Sequence, residues 1–345
     1  MRVLAVNAGS SSLKLSLLAD SDDELWALEL ESRRAEIAHD DVAAALAGLP
    51  VAPDAVGHRI VHGGERFREA VVIDAAVADA LRELVALAPL HQPKSLAAVD
   101  AVTRALPTVP VVACFDTAFH ATLPPEAATY ALPREWRERY GVRRYGFHGL
   151  SHEYAARSAR GARRVVTCHL GAGASLCAVL DGRSVDTTMG FTPLEGLVMA
   201  TRSGSVDPGL LLWLQRHAGV SADEMADALE HESGLSGLAG TSDMRELLGR
   251  DDEEARLAVD VYVHRLGAGI AAMAASLGGL DALVFTGGVG ENAARIRELA
   301  CERLRHLGVG VPGGAVEVLV VHAREDLEIA RQVRELLGLQ GLKNP

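Results

Sequence analysis

Arg59 lies inside the apolar run 55–61, just ahead of Gly63-Gly64, and Arg202 lies in the small-residue loop Thr201-Arg202-Ser203-Gly204. A guanidinium among apolar neighbours needs a partner, and two of them in glycine-rich loops can form forks around a carboxylate or a phosphoryl group. For Arg59 taken alone, a structural ion pair is the plainer reading. Asp116 closes the apolar run 109–115 and is followed by Thr117 and His120. A carboxylate at the C-terminal end of a buried strand is where open α/β sheets place ligand chemistry, although a cap for the next turn explains it as well. His148 sits in the glycine-spaced loop Tyr145-Gly146-Phe147-His148-Gly149, ahead of a helix expected to begin near His152. A lone histidine in such a loop is more often structural than catalytic.

Three turns of small residues could receive an anion. Residues 1–18 read as strand, turn and returning strand, with Asn7-Ala8-Gly9-Ser10-Ser11-Ser12 between the apolar runs and Lys14 close behind. Small side chains leave backbone N–H groups open to an anionic oxygen, and an ordinary Ser/Gly hairpin fits equally well. Residues 164–181 repeat the plan, with Ser175-Leu176 falling where Ser12-Leu13 stand in the first copy. A duplicated hairpin suits two lobes that each contribute a turn to a shared cleft, although so short a match also arises by chance. Apolar residues 282–286 then run into Gly287-Gly288-Val289-Gly290, read as a glycine turn before a helix at 291–306. Such a turn directs N–H groups and the positive helix end toward an anion or nucleotide. Gly288, Gly290 and Ala293 also satisfy the loose dinucleotide pattern, but a Rossmann fold carries it in its first βαβ unit, and no G-x-x-x-x-G-K-[ST] occurs.

A chain of 345 residues, 49% hydrophobic and 23% charged, suggests two globular domains of ordinary size. No apolar run is expected to be long enough to span a bilayer, and no secretory-signal series opens the chain, so a cytoplasmic location is expected. A net charge of −12 and a pI near 5.5 argue against nucleic acid or anionic membrane as the main partner. Any bound polyanion must therefore meet a local cluster of donors. Cys114, Cys168, Cys177 and Cys301 lack CxxC spacing, and the first three sit in apolar runs as reduced buried thiols do, which indicates neither disulfides nor zinc.

The positioning elements follow from periodicity. Residues 19–55 are acidic and alanine-rich, with helical spacing at Val42, Leu46 and Leu49 up to Pro50. Residues 75–105 read as two helices joined by a proline-bounded bend, 109–115 as a strand, and 208–232 and 252–277 as helices separated by the Gly/Ser loop 233–243. A strand at 316–321 leads to Glu325, Asp326 and a helix to residue 337.

The motifs NAGSSSLK, GHRIVHGGE, CFDTAFH, YGFHGLSH, TPLEGLVMATRSG and FTGGVGEN, in this order from residue 1 to about 335, resemble those of the acetate kinase family, within the actin, sugar kinase and heat-shock ATPase superfamily. The resemblance implies an α/β fold of two duplicated actin-like (ribonuclease H-like) βββαβαβα lobes around a central cleft. Residues 1–117 plus 326–345 would form the N-terminal, acyl-side lobe and 118–325 the nucleotide-side lobe. It implies reversible transfer of the ATP γ-phosphoryl group to acetate, giving acetyl phosphate and ADP, with Mg²⁺ or Mn²⁺. A cytoplasmic homodimer acting on small molecules, without nucleic-acid or membrane partners, is implied as well.

By the same resemblance Arg59, Asp116, His148 and Arg202 are catalytic, the arginines holding the acyl carboxylate and the phosphoryl group in flight and His148 donating to that group's oxygens. Asn7, Arg59, Val61, Leu90, His91, Phe147 and Pro193 fall to the acyl substrate, with Val61, Leu90, Phe147 and Pro193 lining the pocket for its methyl group. Ser10, Ser12, Lys14, His169, Gly171, Gly173, Asp243, Met244, Arg245, Gly288, Val289, Gly290 and Asn292 fall to the nucleotide. Asn7 and Glu325, with Asp116, fall to the metal. A carboxylate acceptor is ionised at neutral pH and needs no general base, so the implied reaction calls for charge control. Departures from the family pattern are Ala172 in His169-Leu170-Gly171-Ala172-Gly173, Gln92, Ser205 and a shorter 19–55 region. They leave as alternatives a propionate or butyrate kinase, a pyrophosphate-using variant, and a catalytically weak nucleotide-binding sensor of the same fold.

Overall fold

β1 (Val3–Ala8) and β2 (Ser12–Leu18) pair antiparallel, with Val3 opposite Leu18 and Ala8 opposite Leu13, in a computed structural model that describes residues 1–9, 12–31, 39–88 and 92–341. β3 (Glu24–Glu31) extends the sheet antiparallel to β2, while β4 (Ala55–Ile60) lies parallel to β1. A two-residue strand, β5 (Val71–Val72), borders β6 (Val111–Phe115), which is parallel to β4. Among the described residues the order is β3-β2-β1-β4-β6-β5. The second sheet comprises β7 (Arg164–Leu170), β8 (Ala174–Leu180), β9 (Arg183–Thr187), β10 (Ala282–Thr286) and β11 (Glu317–Val320). Its order, β9-β8-β7-β10-β11, repeats β3-β2-β1-β4-β6 with the same sequence of antiparallel and parallel pairings. The repeat inferred from Ser12-Leu13 and Ser175-Leu176 thus extends to five strands of the sheet, β5 alone lacking a counterpart among the described residues.

The chain divides into two compact units, Met1–Ala121 with Phe147–Tyr154 and Arg324–Pro345, and Thr122–Gly146 with Ala155–Ala323. In the first, alternation along β1 and β2 feeds two cores. Leu4, Val6, Leu13 and Leu15 pack with Val42 and Leu46 of the helix His39–Ala47 and with Ala98 and Val102 of the helix Gln92–Ala105. Val3, Ala5, Val112 and Cys114 face Ile329, Ala330 and Val333 of the helix Glu325–Gly341. Gly57 makes that second approach close: a Cβ there would lie 2.3 Å from Ile329 Cγ2 and 2.7 Å from Val333 Cγ2.

Several elements differ from expectation. The helical spacing at Val42, Leu46 and Leu49 is realised as the helix His39–Ala47, while the acidic stretch before it, for which no strand was expected, forms β3, where Trp26 and Leu30 gain burial against the first core as the segment pairs with β2. The helix expected over 208–232 is broken at Gly219, which is left-handed at φ 72°, and restarts behind the Ser221–Glu224 capping box. Within the expected loop 233–243 runs a short helix, Gly234–Ala239, whose Leu235 and Ser236 N–H groups donate to the Met199 and Ala200 carbonyls. The helix after β10 starts at Gly287 rather than 291, so the glycine turn is the first turn of a helix. The helix after His148 starts at Gly149. Against the expectation of no membrane-length apolar run, the helix Glu253–Ser276 is long and apolar enough to cross a bilayer by length and composition. Its buried residues, among them Val259, Val263, Leu266 and Ile270, belong to a helix packed on β7, β8 and β9. The four cysteines are free, and three are buried.

Candidate active site

The parallel strands of the first sheet end together, and their ends carry the charged groups. Asn7 is the penultimate residue of β1, Arg59 of β4, and Asp116 follows β6, donating its N–H to the Ile60 carbonyl at 3.0 Å. Arg59 Nε donates to both Asp116 carboxylate oxygens at 3.0 Å, and Nη2 donates to Oδ2 at 2.6 Å. Its Nη1 donates to Asn7 Oδ1 at 3.0 Å, and Asn7 Nδ2 donates to Glu325 Oε2 at 2.6 Å. Arg59 therefore does make an ion pair, with a partner that is itself a candidate residue. The Arg59 side chain is 14% exposed and that of Asp116 1%. Burial opposes the Arg59 charge, but Asp116 and Glu325 outweigh it and hold the guanidinium above its ordinary pKa. Burial raises Asp116, Arg59 opposes the rise, and Glu325 adds to it.

Glycine at 149 lets the next segment close on this cluster. A Cβ on Gly149 would lie 2.1 Å from the Asp116 carbonyl oxygen, which accepts the Gly149 N–H at 2.9 Å. His148, just before it, is held at φ 57°, an uncommon conformation for a residue with a side chain. Val61 and Phe147 are buried, and the Phe147 ring meets His62 edge-on at 5.5 Å. Gln92 fixes His62 at both backbone ends, accepting from its N–H at 3.3 Å and donating to its carbonyl at 3.1 Å. Burial lowers the pKa of His62 to about 4 and that of His58 to about 3. Ser12 and Lys14 turn instead to Glu29 of β3, at 2.6 and 3.9 Å, and Lys14 is exposed. Ser10, Leu90 and His91 lie outside the described residues.

In the second unit Arg202 Nη1 donates to the Pro193 carbonyl at 3.2 Å, and Nε lies 3.3 Å from Glu230 Oε2. Burial lowers the Arg202 pKa, with Glu230 opposing the shift. The loop around it is laced to one segment: Thr201 Oγ1 donates to the Glu230 carbonyl, and the Ser203 N–H to that of Leu229. At the other glycine-rich turns, the Gly171 N–H donates to the Gly173 carbonyl and Asn292 Nδ2 to that of Gly288. Half-buried His169 is the penultimate residue of β7, just before the former turn, while Val289 and Gly290 lie in the helix Gly287–Asn292. Asp243 caps the helix Met244–Gly249 and pairs with Arg245 at 3.0 Å, while Met244 is buried.

Two residues absent from the sequence reading emerge. Glu230 is 28 positions from Arg202, and no local pattern marks it as a partner. Glu291 had a signal, being the acid of FTGGVGEN; its Oε1 accepts the Gly287 and Ala323 N–H groups at 3.1 and 2.9 Å. Among the described residues no group of three or more His, Cys, Asp or Glu is arranged to hold a metal. The Asp116 and Glu325 carboxylates with the Asn7 amide oxygen are nonetheless hard oxygen donors, and Mg²⁺ is commonly held by one or two carboxylates completed by substrate oxygens. The donor chemistry suits that ion, while in this structure both Asp116 oxygens and Asn7 Oδ1 accept from Arg59.

Two copies of one βββαβ-type sheet plan, one of them ending in a buried arginine–carboxylate cluster, place the chain in the actin-like ATPase class of α/β folds. The acetokinase family model matches residues 50–318. An acetate kinase of Deinococcus deserti is 47% identical over 395 aligned residues, covering 99% of each chain. The crystal structure of Porphyromonas gingivalis acetate kinase superposes with a TM-score of 0.88 at 36% identity, over 97% of this chain and 99% of that one. A propionate kinase from Francisella tularensis gives 0.88 at 34%, over 96% and 98%. The chain belongs to the acetokinase family and is a phosphotransferase of that family's type.

Proposed function

We propose that the protein is an acyl kinase, transferring the γ-phosphoryl group of ATP reversibly to the carboxylate of acetate by direct in-line displacement. The observation that carries this reading is the buried cluster of Arg59, Asp116, Asn7 and Glu325. A permanently cationic guanidinium is held by a buried carboxylate, and a carboxylate acceptor, ionised at neutral pH, needs no base. In this reading Asp116 orients Arg59 and does not abstract a proton, and Arg59 binds the acyl carboxylate. Arg202 and His148 stabilise the equatorial oxygens of the phosphoryl group, where charge develops during transfer. Val61, Phe147 and Pro193 border the acyl methyl group. His169, Gly171, Gly173, Gly288 and Asn292 hold the nucleotide, with Asp243 and Arg245 toward its base. Asp116, Glu325 and Asn7 would hold Mg²⁺, which when bound supplies charge neutralisation of the nucleotide phosphates.

The propionate kinase superposes as well as the acetate kinase, so propionate is the competing acceptor. One methylene is worth only ~1–3 kcal/mol in an apolar pocket. A homodimer is part of the proposal, supported by Val206, Leu210, Leu212 and Trp213, large apolar side chains exposed on or beside the helix Pro208–Trp213, and a cytoplasmic location is proposed with it. Hydroxamate trapping with acetate, propionate and butyrate, each with ATP and with pyrophosphate, tests the reading. The expected result is trapped acetyl phosphate with ATP as donor; nucleotide binding with no trapped product from any acid would overturn it.

A further inference from the structure

The helix Glu325–Gly341 opens with Glu325 and carries Glu328 and Arg331 at successive turn spacings behind it. Arg331 gathers three carboxylates. Its Nε and Nη2 donate to Glu328 Oε1 at 2.8 and 2.5 Å, Nη2 also donates to Glu153 Oε1 at 2.6 Å, and Nη1 to Glu335 Oε1 at 2.6 Å. Gln332 Nε2 adds a bond of 3.1 Å to Glu153 Oε2. The Glu328 side chain is fully buried. Burying a carboxylate is costly unless its pairing geometry is good, and the helix needs no such group to dock, because Ile329, Ala330 and Val333 already supply its apolar contact. Arg331 is also the bridge between two helices. Glu153 belongs to Gly149–Ser158, whose first N–H is fixed on the Asp116 carbonyl and which follows His148 directly.

We propose that Arg331 is a positioning residue: by clamping Glu328 to Glu153 it fixes the helix bearing Glu325 against the helix that follows His148, and so sets how Glu325 meets Asn7 beside Arg59. The inference rests on the role given to Glu325 above. Arg331 lies six residues along the helix from Glu325, about 9 Å of axial rise, so it acts through the helix and not on a substrate.

The test is a double-mutant cycle of Arg331→Met and Glu325→Gln, with Arg331→Lys alongside, reading kcat by hydroxamate trapping, ADP affinity by calorimetry and the melting midpoint of each variant. Arg331→Met should lower kcat by roughly tenfold while ADP affinity stays within about twofold, because His169, Gly171, Gly173, Gly288 and Asn292, given to the nucleotide above, belong to the other unit. Arg331→Lys should restore part of the loss. In the Glu325→Gln background Arg331→Met should cost less than about twofold further. Multiplicative losses, or parallel loss of kcat and ADP affinity, would overturn the inference alone. A fully active Glu325→Gln enzyme would overturn the assignment of Glu325 and the inference with it. If Arg331→Met does not fold, Arg331→Lys and Glu153→Gln carry the same readings.

Discussion

The two units share one sheet plan yet bury different chemistry. Among the described residues the first buries His58, His62, Asp116, His120, His152 and Glu328, whereas the buried polar residues of the second are the hydroxyls Thr167, Ser175, Ser184, Thr187 and Thr286. The same strand ends are thus used in two ways. In the first unit they gather ionisable side chains that hold one another in place, and in the second they present glycine-rich backbone. Duplicating a sheet duplicates its positions, not its charges, and a phosphoryl transfer needs both a charged acceptor site and a backbone cradle for phosphates.

The largest test of this contrast removes one arginine from each unit. Arg59→Ala and Arg202→Ala should each raise the barrier by ~2–4 kcal/mol, seen as a fall in kcat by hydroxamate trapping. Near-normal turnover for Arg202→Ala alone would confine charge control to the first unit. A smaller effect compares how each helix lies on its sheet. Gly57→Ala drives a methyl into the stiff β-branched Ile329 and Val333 and should cost ~1–3 kcal/mol in a denaturant titration. Gly269→Ala, in the helix Glu253–Ser276, meets Leu176 Cδ1 at 2.8 Å. A flexible leucine end can yield, and helix propensity returns up to about 1 kcal/mol, so that variant should be close to neutral. Equal costs would mean the two helices are seated alike.

The smallest effect is one of pH. His58 is neutral when folded, with its pKa lowered to about 3, so its contribution to stability is complete above the unfolded value near 6.5 and is lost as pH falls toward 3. Between pH 7 and 5.5 the unfolding free energy should drop by about 1 kcal/mol from this group, and His58→Gln should lack that part of the slope. An unchanged slope would show that His58 takes up its proton at the same pH in the folded and unfolded states.

Much of the fold was legible because strand ends and glycine turns are local. The hairpin at 1–18, its repeat at 164–181, and the strands ending at Ile60, Phe115 and Thr286 all follow from apolar runs bounded by small or polar residues. β3 was not legible, since Glu24, Glu29 and Glu31 suit a helix until β2 offers a ladder. At the candidate site, Arg59 announced its need for a partner, but only the register of β4 on β6 identifies Asp116. Glu230 and Glu153 could not be found at all, because their partners Arg202 and Arg331 stand 28 and 178 positions away and neither pair leaves a periodic trace.

The dihedral of His148 has its own consequence. A glycine would occupy that point of backbone space with less strain, so folding stability pulls the position away from the imidazole that the proposed chemistry uses. Selection for heat resistance without a screen for turnover would therefore tend to erase the ring and keep the loop.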